Sequence, residues 1–360
     1  MATVRHTATT PYADLTPRAQ VGRLRPVALE ALKEFGLQAG HLRFIHHGEN
    51  TTWRVELPRP LPGRVPEGCH PSRVLLRMHR ATYNLPREIV GELTWLEALR
   101  RDTDLVVPVP LHKRDGSAPT TFDDPLLGGP RVITATRWIT GRMAGKLRTA
   151  AQVEATGRLM AQLHDHAAHW RRPKGFVRCR YWDRGLMTAA GNPDRGDGDV
   201  WHLLPADARQ LYRRVRDRMA VVLEDLGDGP DAVGLIHADL HLHNVVFHQG
   251  VARPIDFDDC QMGPWLYDLA VTLYSSTSVP EAREAVLRGY RRIRPFPEAQ
   301  LRHLRVVMAA RDAGVLMWLA VRGQTNTRYA GIFERNLPAS IARCRQGGGC
   351  LWRFHRNRLR

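Results

Sequence analysis

Two neighbouring stretches decide the fold: LIHADLHLHNVVF at residues 235–247 and RPIDFDD at residues 253–259. The first has an apolar entry, an apolar exit and a polar middle holding Asp239, Asn244 and the histidines His237, His241 and His243. Asn244–Phe247 and Val251–Ile255 are short strand candidates, and His248-Gln249-Gly250 can turn a hairpin between them. With Gln249 and Gly250 at the turn, Asn244 falls opposite Ile255 and Asp256. One amide and two carboxylates are thereby drawn toward a common point. Few, hard oxygen ligands with room for water suit Mg²⁺ bridging substrate phosphates.

An Asp five residues before an Asn, followed by an Asp-Phe pair, is the layout of a protein-kinase-like active site. There Asp239 orients and deprotonates an acceptor hydroxyl, and Asn244 with Asp256 holds Mg²⁺. The alternative for these histidines is a zinc site, but the H-x-x-x-H spacing lies in a loop and lacks the Glu of a helical H-E-x-x-H. His237 reads as a hydrogen-bonded anchor of the loop, while His241 and His243 line the acceptor side or face solvent.

From H-x-D-x-x-x-x-N at His237–Asn244, IDFDD at 255–259, Gly263-Pro264 and YDLA at 267–270, the chain resembles the aminoglycoside phosphotransferase/choline kinase-type family of protein-kinase-like enzymes. The DFDD…GP…DL string is most similar to the stress-response kinase A and type II homoserine kinase-like branches. The resemblance spans roughly Leu15 to Gln346. It implies an α+β, two-lobed protein-kinase-like fold, with a small antiparallel-sheet N-lobe and a mainly helical C-lobe. The expected boundaries are a flexible N-terminus (1–14), an N-lobe (15–136), a hinge (137–141), a C-lobe (142–346) and a basic tail (347–360).

The same resemblance supplies roles upstream. The loop in HHGENTTWRVE carries Gly48, where backbone can approach phosphate, and Asn50, Thr51 and Thr52 as hydrogen-bond donors. VLLRMHR stands at the third-strand position with Arg77 where the family has Lys; a guanidinium can grip phosphate bidentately. Glu92 matches the acidic partner of that cation, with Glu88 one turn earlier as fallback. Otherwise Arg77 is an exposed strand residue and Glu92 a solvated helix charge. Arg137, Trp138 and Ile139 form the expected hinge that receives the nucleobase, ended by Gly141. Asp268 is expected to open a helix beneath the catalytic loop and accept its backbone N–H groups. Ala238 precedes Asp239 where regulated protein kinases have Arg, and Asp258 replaces the Gly of Asp-Phe-Gly. Both departures argue for an always-formed site.

The rest of the chain is consistent with this. TPRAQVGRLRPVALEALKEF has helical periodicity, capped by Thr16-Pro17 and stopped by Gly36. VVPVPLHKRDGSAPTTF reads as two strands around an Asp-Gly turn, and RVITATRWI as another. TAAQVEATGRLMAQLHDHAAHW reads as a helix whose histidines lie on its wet face. Trp95, Trp138, Trp265 and Trp318 read as core. Five widely spaced cysteines (Cys69, Cys179, Cys260, Cys344, Cys350) argue against a disulfide framework. No apolar leader or run of about 18 apolar residues is present, so the expectation is a cytoplasmic protein with no membrane partner.

A net charge of +17 invites a nucleic-acid reading. However, only four of 53 basic residues are Lys and the Arg are spread along the chain, so none is expected as a partner. ATP and Mg²⁺ are the expected cofactors. The acceptor is a small-molecule hydroxyl, homoserine-like or another metabolite, with a protein Ser/Thr or an aminoglycoside as alternatives. A polycationic aminoglycoside needs an acidic pocket and fits this basic chain least well. Specificity is expected around Arg171–Asp197 and near Arg311–Trp318. The rival class is a non-catalytic nucleotide-binding scaffold.

Overall fold

The computed structural model describes residues 10–48, 50–81, 83–145, 148–188, 199–324 and 327–345. The basic tail 347–360, most of the N-terminus 1–14 and the 189–197 part of the expected specificity segment lie outside those residues. The chain divides into two compact units, Met1–Leu93 with Val109–Trp138 and Thr94–Pro108 with Ile139–Arg360. Among the described residues no helix is long and apolar enough to cross a membrane.

The first unit is a five-stranded sheet with helix α1 (Pro17–Glu34) against it. The Thr16 side chain accepts the Ala19 N–H, and Pro17 occupies the first turn, where a missing N–H costs nothing. Strands β1 (His41–His47), β2 (Thr51–Glu56) and β3 (Cys69–Met78) pair antiparallel in succession. Helix α2 (Pro86–Asp102) follows, then β4 (Thr120–Phe122) and β5 (Arg131–Ile139), giving the order β1-β2-β3-β5-β4. Alternate residues Trp53 and Val55 of β2 and Val74, Leu76 and Met78 of β3 bury one face against Leu24, Ala28 and Leu32 of α1. Of the two strands expected around the Asp-Gly turn, only β4 forms. Residues 109–111 run beside β5 with a single bridge, Pro110 to Thr136. Pro108 and Pro110 have no N–H to give a ladder, which confines this segment to isolated pairing.

The second unit is mainly helical: α3 (Ala150–His169), α4 (Ala206–Leu226), α5 (Trp265–Ser275), α6 (Ala282–Arg291), α7 (Leu304–Gly323) and α8 (Thr327–Arg345). Thr149 and Gln152 form a reciprocal capping box at the start of α3. The short strands β6 (Arg142–Met143), β8 (Val245–His248) and β9 (Val251–Pro254) make a three-stranded sheet, and β7 (Val233–Ile236) pairs with β10 (Gln261–Pro264). Helix α5 is apolar almost all round. Trp265, Leu266, Leu269, Ala270 and Val271 are at most 1% exposed, placing it at the centre of this unit.

Candidate active site

The β8–β9 hairpin has the register read from the sequence. His248 pairs with Val251 and Val245 with Pro254, and the Ile255 N–H donates to the Asn244 carbonyl at 2.9 Å. Gln249 and Gly250 have φ of +49° and +80°, the twist a two-residue turn needs, which Gly supplies without strain. Asn244 and Asp256 therefore sit at one end of the hairpin, and Asp239 stands beside Asn244.

The Asn244 side-chain amide donates to both the Asp239 carbonyl (3.0 Å) and Asp239 Oδ2 (2.8 Å). Those bonds fix the amide's orientation by engaging Nδ2, which identifies Oδ1 as its acceptor atom. His241 Nε2 lies 3.3 Å from Asp239 Oδ2, and Arg311 Nη2 lies 2.5 Å from Asp239 Oδ1. Burial pushes the Asp239 pKa up, but His241 and Arg311 outweigh it and hold the carboxyl well below the usual carboxylate range. Burial likewise works to lower His241, and the Asp239 carboxylate overrides it, so His241 is raised. Asp256 is exposed and adopts φ +64°.

Asp268, on the first turn of α5, is completely buried. Its Oδ2 accepts the His237 N–H (3.0 Å) and its Oδ1 the Ala238 N–H (2.7 Å). His237 in turn reaches the Ile255 carbonyl through Nε2 (3.1 Å), tying the loop to the strand end that leads into Asp256. Phe257 packs between two rings, with centroids 4.6 Å from His237 and 5.4 Å from Trp95. Trp95 lies on α2, one turn beyond Glu92. His164 corrects the expectation of a wet helix face. It is fully buried on α3, with Nε2 3.0 Å from Asp268 Oδ2 and Nδ1 3.0 Å from the Tyr290 hydroxyl. A carboxylate buried with only two backbone donors needs a further partner, and His164 supplies it.

In the first unit Arg77 Nη1 meets Glu92 Oε1 at 2.8 Å, with the two side chains 9% and 5% exposed. Glu88 Oε2 accepts the Leu85 N–H and so caps α2. Thr51 and Thr52 alternate on β2. Thr51 is buried, and its hydroxyl is engaged by His47 Nδ1 (2.7 Å), whose Nε2 reaches Gln20 (2.8 Å); Thr52 is more open. Asn50 Oδ1 accepts the Arg80 N–H at 3.3 Å, and the Asn50 carbonyl takes the Gly48 N–H at 2.9 Å. In β5 the Arg137 N–H donates to the Val109 carbonyl and its guanidinium to the Pro62 carbonyl. Trp138 is half-buried under Arg54, and Ile139 is buried. Gly141 has φ +137°, and a Cβ there would lie 2.5 Å from Val246 Cγ1, so only glycine fits.

The largest omission from the sequence reading is Arg311 as the partner of Asp239. A signal for it exists. Arg311 and Asp312 interrupt the apolar run VVMAARDAGVLMWLAV of α7, and charges so placed must be paired. Asp312 is fully buried against Arg343 of α8 (2.6 Å).

Residues 41–304 match the phosphotransferase enzyme family. The chain belongs to that family. It is 25% identical over 236 residues to the homoserine kinase of Ralstonia pickettii, covering 60% of this chain and 64% of that protein. It is 27% identical over 272 residues to the homoserine kinase of Paramagnetospirillum magneticum, covering 66% and 73%. The solved structure of a microcompartment-associated aminopropanol kinase superposes with a TM-score of 0.68 at 29% identity, over 89% of this chain and 99% of that one. The chain thus spans just under two thirds of the length of the Ralstonia pickettii enzyme. The fold is the protein-kinase-like α+β fold that the catalytic-loop pattern implied.

Proposed function

We propose that the protein is a Mg²⁺-dependent phosphotransferase that moves the γ-phosphoryl group of ATP to the hydroxyl of a small metabolite. A hydroxy amino acid or short amino alcohol is the favoured class, in keeping with its homoserine kinase and aminopropanol kinase relatives. The observation that carries this reading is Asp239: an ionised, oriented carboxylate whose loop hangs from the buried Asp268.

In this reading the acceptor oxygen forms a bond to the γ-phosphorus as the bond to the β,γ-bridging oxygen breaks. The hydroxyl proton passes to Asp239, and ADP leaves. The Asp239 carboxylate positions the hydroxyl first and takes the proton late, as a loose transition state allows. Asn244 Oδ1 and the exposed Asp256 carboxylate are hard oxygen donors that fit Mg²⁺, which supplies charge neutralisation on the phosphates. His241 faces the acceptor side. Gly48, Asn50 and Thr52, the Thr51 backbone, and Arg77 braced by Glu92 hold the phosphates. Residues 137–141 serve as hinge, and with the Arg137 N–H already committed the base is left to Trp138 and Ile139.

The test is ADP release from ATP–Mg²⁺ with L-homoserine and with 1-amino-2-propanol, on wild type and Asp239→Asn. Acceptor-dependent turnover, reduced at least about 10²-fold in the variant with nucleotide binding retained, is expected. Nucleotide binding with no turnover for any hydroxyl acceptor points instead to a scaffold.

A further inference from the structure

We infer that Arg311 is a positioning residue for the transfer, acting on the acceptor only through Asp239, whose Oδ1 it holds. The inference rests on the phosphotransferase reading of Asp239. A carboxylate offers about four lone-pair positions. On Asp239, Oδ2 faces Asn244 Nδ2 and His241 Nε2, and Oδ1 faces Arg311 Nη2. A single position on Oδ1 then remains for an incoming hydroxyl. Arg311 therefore determines which edge of the carboxylate is open and in what direction.

The rest of the guanidinium argues that this contact, and not stability, is what its placement serves. Among the described residues Nε is buried without a hydrogen-bond partner, and Nη1 has a single, long 3.5 Å contact to the Tyr267 hydroxyl. A buried guanidinium left partly unsatisfied costs free energy, so an Arg retained for stability alone would be better paired. The helix carrying it is held from the other side. Asp312, the next residue, takes Arg343 Nη2 at 2.6 Å and Nε at 3.3 Å, and the Tyr274 hydroxyl at 3.2 Å. Adjacent opposite charges thus fix α7 to α8 in one direction and to the catalytic loop in the other.

The experiment is a double-mutant cycle on kcat, using ADP release from ATP–Mg²⁺ with L-homoserine, 1-amino-2-propanol or water as acceptor. Arg311→Met in the wild-type background is expected to lower kcat roughly 10²-fold, the scale of a sub-ångström to 1 Å misplacement, with the KM for ATP changed less than about twofold. Arg311→Lys, a charge without the fork, is expected to retain about a tenth of wild-type kcat. In an Asp239→Asn background, Arg311→Met should cost less than about twofold more, because its only route is already removed. If Arg311→Met does not fold, Arg311→Lys carries the same cycle. An additive loss in the Asp239→Asn background, or kcat within about threefold of wild type for Arg311→Met, overturns the inference while leaving the phosphotransferase reading intact. A wild type that releases no ADP under any of these conditions overturns both.

Discussion

Asp268 Oδ1 accepts the Ala238 N–H at 2.7 Å, from a helix thirty positions further along the chain. The same carboxylate takes the His237 N–H and His164 Nε2, so three donors converge on one fully buried group. Asp268→Asn turns one acceptor into a donor facing donors. It is expected to lower stability by about 3 kcal/mol in urea unfolding and to abolish turnover. A loss under about 0.5 kcal/mol would mean the network is not what holds the loop.

Ala238 has φ +64°, a left-handed conformation that costs a Cβ-bearing residue about 1–2 kcal/mol. Ala238→Gly should therefore leave stability unchanged or raise it by up to about 1 kcal/mol, offset in part by the freer unfolded chain. Ala238→Val should destabilise by more than about 2 kcal/mol. Thermal unfolding of the pair gives the answer, and equal effects of Gly and Val would remove the strain argument.

Arg77 and Glu92 form a pair buried on both sides. Arg77→Met leaves a buried carboxylate unpaired and is expected to cost about 3 kcal/mol. Adding Glu92→Leu should recover most of that stability without restoring ATP affinity. Recovery of nucleotide binding by the double variant would show that the pair only packs.

His47 is pushed down to about 4, first by burial and then by Arg80, His46 and Arg131 around it. The unfolded chain, with an ordinary histidine, binds the proton more readily between about pH 6.5 and 4. The stability that depends on neutral His47 is thus fully present above about pH 6.5 and is lost as pH falls toward 4. His47→Gln keeps a polar link between Thr51 and Gln20 and should flatten the pH dependence of the unfolding midpoint in this window. An unchanged slope would assign the dependence to other groups.

What the sequence carried plainly was local. The Gln249-Gly250 turn and the strand period on either side of it gave the pairing that puts Asn244 and Asp256 at one end of the hairpin, because a two-residue hairpin leaves register no freedom. The Thr16 cap is likewise short-range chemistry. What it did not carry depends on packing between distant elements. Nothing near Ala238 marks a left-handed residue, since Ala there is neither Gly nor Asn. His164 reads as solvent-facing until Asp268 is placed beneath it. Arg311 reaches Asp239 across 72 positions, visible beforehand only as a charge pair inside an apolar helix. The missing strand at residues 106–113 shows prolines outweighing a valine-rich pattern.

Whether nucleotide is held through Mg²⁺ at Asn244 and Asp256, for transfer beside Asp239, is read from thermal unfolding with ATP in the presence and absence of Mg²⁺, on wild type and Asp256→Ala. Ligand at about 100 times its Kd contributes about 2.7 kcal/mol, or an upward shift of roughly 4 °C in a protein of this size. Wild type with Mg²⁺ should show that shift, and Asp256→Ala, or wild type without Mg²⁺, should lose it. An equal shift in the variant, or none in wild type with any nucleotide, would contradict this placement.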